Sequence, residues 1–339
     1  MDQAAGRVHG RQQPTRLEAP APRERGGFSA GLLAVAVVIL LAACGWLGDE
    51  ESPEQTAPFA VGIRSVTFVD KSRPTPAFAT QPVLDSRTIE TEIWYPAEGR
   101  PAKGERPDAP AADGPFPLIV FNHGQQGEPK QYTSSFQAWA RAGYVVAAPR
   151  NPISVRGGPG GQFFNDLEGM LGDTSFVISR TGEELPDLVD LDHVAVAGHS
   201  SGAIVALAEG FNTCCHDERI DAVLVESALR IPVDGGEYAA DLEGTPVFFL
   251  HGDADVNNPV DSAFGLFEDF EAPKFFLTIK GGDHSNTFRD GEGSGVVADA
   301  SRAFFDRYLK DQEEALDELR AIVSRSPSAS LEAVPDGDP

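Results

Sequence analysis

Apolar and polar residues alternate along 61–70 and again along 88–95, the period-two pattern of strands with one buried face. The two stretches flank a proline-rich loop, which predicts an antiparallel pair. Beyond them the pattern changes. Short unbroken apolar runs stand at 117–122 (PLIVFN), 144–148 (YVVAA), 194–197 (VAVA), 222–225, 247–250 (VFFL) and 275–279, as expected for strands buried on both faces. Helical segments are predicted at 131–142, 173–185, 203–210 and 295–309, the last extending to about 324. Residues 151–172 are glycine-rich and read as irregular. The closing SPSASLEAVPDGDP has no core-forming pattern and reads as disordered. There is no internal repeat. Strands alternating with helices predict an α/β protein whose mostly parallel central sheet, of about eight strands, is covered by helices on both faces. In such sheets chemistry sits at the carboxyl ends of the strands.

The N-terminus stands apart. Five arginines precede the small-and-apolar run FSAGLLAVAVVILLAA, and the acidic Asp49-Glu50-Glu51 follows it. This is the layout of an export signal. The run ends in Leu41-Ala42-Ala43-Cys44-Gly45, which resembles the lipobox of bacterial lipoproteins. That resemblance implies lipidation of Cys44 and cleavage just before it. An uncleaved transmembrane anchor and ordinary secretion are the alternatives, and all three place the chain outside the cytoplasm. The resulting division is a signal or anchor at 1–43, a tether at 44–59, an α/β domain at 60–312, and a helical extension with a disordered tail at 313–339.

The formal net charge is -25. Such a surface repels nucleic acid and anionic headgroups and favours solubility. The three cysteines, Cys44, Cys214 and Cys215, cannot all pair with one another. No spacing fits a metal site, and neither a metal nor a cofactor is expected.

The chemistry lies in Gly198-His199-Ser200-Ser201-Gly202. A G-x-S-x-G run alone is a weak signal. Here it joins a buried strand to a helix, the context of a nucleophile elbow, with glycines leaving room for a tight turn. Serine then needs a base. Of seven histidines, His251 ends a strand in His-Gly, and His284 follows a later strand in Lys280-Gly281-Gly282-Asp283-His284. If the acid follows 247–250, only His284 lies beyond it, so His284 is the expected base; His193, His216 and His251 are assigned structural roles. Asp255 is the expected acid, Asp253 a turn residue, Glu226 an outside candidate, and Asp283 a residue pointing to solvent. Two backbone amides should hold the oxyanion: that of Ser201, and that of Gln125 in the loop Asn122-His123-Gly124-Gln125-Gln126-Gly127. The glycine-rich stretch 155–164 is expected to act as a lip over the pocket.

Taken with ETEIWYP, PLIVFNHG, GYVVAAP, VAVAGHSSG, FNTCCHDERI, FFLHGDADVNNP and GGDH, the chain resembles bacterial relatives of platelet-activating-factor acetylhydrolase and dienelactone hydrolase over about 60–312. The resemblance implies an α/β-hydrolase fold and cofactor-free cleavage of carboxylic esters. By motif it carries over Ser200 as nucleophile, Asp255 as acid and His284 as base. Dienelactone hydrolases proper use cysteine where Ser200 stands. Arg150-Asn151-Pro152 and Ala203 also depart from common patterns, which leaves the pocket open. Cys214-Cys215 recurs in such relatives, and a disulfide or two buried thiols both fit.

The expected function is therefore that of a membrane-tethered serine esterase acting on a small-molecule or lipid ester. A serine peptidase of the same fold and a catalytically silent surface lipoprotein are the rivals. Oligomeric state is left open.

Overall fold

The computed structural model describes residues 58–335 except 79, 159–165, 240–243, 272 and 292. The signal segment, Cys44 and nearly all of the tether lie outside the described residues. One sheet organises the rest. Its strands are β1 (Ala60–Asp70), β2 (Arg87–Ala97), β3 (Arg106–Pro107), β4 (Phe116–Asn122), β5 (Val145–Arg150), β6 (Val189–His199), β7 (Ile220–Glu226), β8 (Val247–Gly252), β9 (Lys274–Ile279) and β10 (Ala329–Val334). They lie in the order β10-β9-β8-β7-β6-β4-β5-β2-β1-β3. Strands β5, β4, β6, β7, β8 and β9 run parallel. β2 joins β5 antiparallel, and β1 pairs antiparallel with β2 as its alternating pattern predicts.

Among the described residues, six helices cover the sheet: α1 (Thr133–Arg141), α2 (Leu167–Glu184), α3 (Ser201–Phe211), α4 (Val260–Asp269), α5 (Ser294–Leu309) and α6 (Ala315–Arg325). Side chains alternate across each strand, so β4 sends Leu118 and Val120 to one core and Ile119 and Phe121 to the other. The first core packs under α2, α3 and α4 through Val177, Leu207 and Phe267. The second packs under α1, α5 and α6 through Trp139, Phe304 and Ile322. The unbroken apolar runs are thus explained: a strand sandwiched between two helical layers has no solvent face.

Three expectations are corrected. Residues 329–334 are not disordered. They form β10, antiparallel to β9, with Ala329 and Leu331 packed against the second core. The sheet therefore reaches past 312 to 334, and its strand count among the described residues rises to ten. The segment from 295 to 324 is two helices, α5 and α6. α2 starts at Leu167, inside the stretch read as irregular. Gly169 and Gly172 suggested a loop, but the space a Cβ would fill is occupied. It would lie 2.2 Å from Asp166 Oδ1 and 2.7 Å from Arg87 Nη1 at 169, and 2.2 Å from Arg73 Nη1 at 172. Buried Arg87 donates to both carboxylates of Asp166 (2.9 and 3.0 Å) and Asp173 (2.6 Å each). Arg73 reaches Asp173 and the Gly169 carbonyl. These guanidinium contacts pin the first turns of α2 against the β1–β2 loop. α4 was not foreseen, although Ala263, Leu266 and Phe267 are spaced for one buried helical face.

Cys214 and Cys215 are joined to each other by a disulfide. A cavity of about 630 Å³ opens between the β1–β2 loop, the start of α2 and the loop after β7. Arg73, Pro74, Leu167, Ile231, Val233 and Asp234 line it; Ser200, Asp255 and His284 do not.

Candidate active site

β6 runs into α3 through Ser200, whose backbone is at φ 55° and ψ −114°. A non-glycine residue in this region is strained and persists only where its surroundings enforce it. The surroundings here are close. A Cβ on Gly198 would lie 2.3 Å from the Gly202 carbonyl oxygen, and one on Gly202 would lie 2.0 Å from that of Asn122. Both glycines of the pentapeptide are therefore required by backbone approach. The Ser200 amide donates to the Glu226 carbonyl (2.9 Å), which ties the turn to β7.

The loops after β8 and β9 meet beside this turn. Gly252 allows it, since a Cβ there would lie 2.2 Å from the Gly282 carbonyl oxygen. Their approach places His284 Nε2 2.9 Å from Ser200 Oγ. It also places His284 Nδ1 2.8 Å from Asp255 Oδ2. An ionised carboxylate only accepts, so Nδ1 carries the ring proton and Nε2 accepts from the Ser200 hydroxyl.

Asp255 is buried and fully engaged. Its Oδ1 accepts the amides of Asn257 and Asn258, at 2.9 Å each. Its Oδ2 accepts the Ser227 hydroxyl as well as His284. Burial pushes this carboxyl up, but the Asn258 amide, the Ser227 hydroxyl and His284 outweigh it and hold it below the usual range. Ser227, at φ 54°, was not foreseen. His251 is structural: its Nε2 donates to the Asn258 carbonyl (2.7 Å) and so steadies the loop that cradles Asp255.

Asp253 Oδ1 accepts the Gly281 amide across the two loops. Asp283 does not simply face water. It accepts the amides of Ser285 (3.0 Å) and Asn286 (2.6 Å) and shapes the turn after His284. Ser201 opens α3, so its amide has no partner one turn back in the helix. Gln125 lies at the exposed corner of a turn closed by the Gly127 amide on the Gly124 carbonyl (2.8 Å). That turn is tied to the next loop, because the Gln126 amide donates to the Ser154 carbonyl (2.7 Å). Ile153 and Ser154 are buried. Much of the expected lip, from 159 onward, lies outside the described residues.

The pentapeptide's His199 was also missed by sequence reasoning. It is buried, with Nδ1 2.9 Å from the Tyr132 hydroxyl and Nε2 2.6 Å from the His284 carbonyl oxygen. Burial, with Arg289 and His284 nearby, keeps it well below the ordinary histidine range and so neutral. Glu226 does not reach His284. Neither of its carboxyl oxygens has a hydrogen-bond partner among the described residues.

Sheet order, elbow and loop placement together are those of an α/β-hydrolase. Comparison with known proteins agrees. The Chlorophyllase family model matches residues 86–243, a span that contains the elbow and the loop after β4 and ends before β8. Chlorophyllase-1, chloroplastic, from Citrus sinensis is 30% identical over 131 residues, 38% of this chain and 39% of that protein. The Citrus unshiu protein of the same name matches to the same extent. The chain thus spans about two-fifths of the length of these curated relatives. Among solved structures, a ferulic acid esterase from Streptomyces cinnamoneus superposes with a TM-score of 0.65 at 20% identity. The match covers 82% of this chain and 98% of that one.

Proposed function

We propose that this protein hydrolyses carboxylic esters through an acyl-enzyme intermediate. The observation that carries the proposal is the hydrogen-bonded chain from Ser200 through His284 to Asp255 at a strained strand-to-helix turn. Ser200 Oγ attacks the ester carbonyl while His284 Nε2 takes its proton. The same proton then passes to the leaving alkoxide as the carbonyl re-forms. Water repeats the cycle on the acyl-enzyme and returns free Ser200. Asp255 holds the tautomer and offsets the charge of the imidazolium. The amides of Ser201 and Gln125 are assigned to the oxyanion, where one such donor typically contributes about 3 kcal/mol. Support comes from relatives named for chlorophyllase and ferulic acid esterase activity. The substrate range is proposed to include lipid-like or short-acyl esters, as the resemblance to platelet-activating-factor acetylhydrolase implies. The reading also includes a tether outside the cytoplasm, through a lipid on Cys44 or an apolar helix.

A fluorophosphonate probe and a panel of p-nitrophenyl esters, methyl ferulate and chlorophyll test this directly. The probe should modify Ser200, and Ser200→Ala should lose labelling and lower kcat by about 10⁴ or more. No adduct on Ser200 would overturn the proposal. Fatty-acid labelling that is lost in Cys44→Ala would support the lipid, and an unlabelled parent would remove it.

A further inference from the structure

Behind the serine, three loops meet at one phenol. The His284 carbonyl can only accept, so His199 Nε2, which lies 2.6 Å from that oxygen, must carry the ring hydrogen. The neutral ring then has a lone pair at Nδ1, which accepts from the Tyr132 hydroxyl at 2.9 Å. The Tyr132 oxygen is left as an acceptor, and two donors point at it from 3.3 Å: the Gly124 amide and Arg289 Nε. Every direction in this chain is forced by the one before. It links the loop after β4, the elbow and the loop after β9. The packing is as close as the bonding. A Cβ on Gly124 would lie 2.8 Å from His199 Nδ1 and 3.1 Å from Arg289 Nη2. The His199 ring also packs on those of His284 and Phe288, with centroids 5.1 and 5.4 Å apart.

We propose that His199 and Tyr132 are positioning residues that set the base loop and the oxyanion loop on a common frame anchored in the elbow. His199 acts on His284 through the hydrogen bond to its backbone carbonyl, with the two rings packed beside each other. Tyr132 acts on Gly124, the residue before the assigned oxyanion donor Gln125. Neither touches the substrate. The inference rests on the ester-hydrolase reading, because it assigns both loops their roles.

Three variants of the full chain separate the arms: Tyr132→Phe, His199→Asn and His199→Gln. A glutamine Nε2 can stand where the ring Nε2 stands and keep the donor to the His284 carbonyl, whereas asparagine reaches only as far as Nδ1. Tyr132→Phe and His199→Asn should each lower kcat on p-nitrophenyl butyrate about tenfold, the equivalent of one lost hydrogen bond, with KM changed less than about threefold. Inhibition by an alkylboronic acid, which mimics the tetrahedral state, should weaken in step with kcat. His199→Gln should recover at least about threefold of the His199→Asn loss. Unchanged kcat in Tyr132→Phe and His199→Asn would overturn the inference. So would equal losses in the glutamine and asparagine variants that follow a fall in Tm. The two levels of failure are distinguishable. If the parent neither turns over ester nor takes the fluorophosphonate, the ester-hydrolase reading fails and this inference goes with it. If the parent does both and the variants match it, only the inference fails.

Discussion

β7 and β8 lie side by side and run parallel, and each leads to a buried acid. Glu226 is the last residue of β7 and Asp255 stands three residues beyond β8. Both are removed from water, at 0% and 5% exposure, yet they are in opposite states. Asp255 accepts from two amides, a hydroxyl and an imidazole, and is held below the ordinary carboxylate range. The Glu226 carboxyl accepts nothing from the described residues. Burial pushes it well above the ordinary range, against a smaller opposing pull from Arg289. Burial alone therefore does not decide charge here; the supply of donors does. A carboxyl with four donors can stay ionised to steady an imidazolium. One with none keeps its proton and serves as packing.

The largest test of this contrast exchanges each acid for its amide. Asp255→Asn should lower kcat/KM by about 10³–10⁴, since the amide can present an N–H to His284 and oppose the working tautomer. Glu226→Gln should stay within about threefold of the parent. A reversal in steady-state assays would move the acid to β7. Next in size, Ser227→Ala removes one donor from Asp255 and should cost about tenfold in kcat/KM; no change would mean that the other donors suffice.

Glu226→Gln also carries a pH signature. The fold keeps the Glu226 proton to higher pH than the unfolded chain, whose value is near 4.5. Its stabilisation is full below that pH and is lost as pH rises toward the raised folded value. Glutamine does not titrate. The variant should therefore gain on the parent as pH rises above about 4.5, by up to about 1.4 kcal/mol per pH unit in chemical denaturation. A pH-independent difference would show that Glu226 is charged in the fold. The smallest effect is expected at Asp253→Asn. It perturbs a single bond to the Gly281 amide and should change stability by less than about 1 kcal/mol, with activity near that of the parent.

The main architecture was legible because its signals are local. Apolar runs flanked by turn residues marked the parallel strands, and the elbow followed from glycine spacing between a strand and a helix. Chain order singled out His284. What escaped depended on partners distant in sequence. β10 has little hydrophobic signal of its own and forms because β9 offers it an unpaired edge. The first turns of α2 contain glycines that normally weaken helices, but Arg73 and Arg87, about 90 residues earlier, fill the space beside them. His199 looked like a spacer in a pentapeptide. Its partners, Tyr132 and His284, lie 67 and 85 positions away.

By itself, then, the sequence determined the α/β order, the elbow at Ser200 and a single eligible downstream histidine, because periodicity and glycine spacing act over a few residues. Only the tertiary structure decided which buried acid is supplied with donors, which histidine frames the site from behind and where the sheet ends. Those outcomes depend on hydrogen-bond partners and strand edges that become neighbours only when the chain closes on itself.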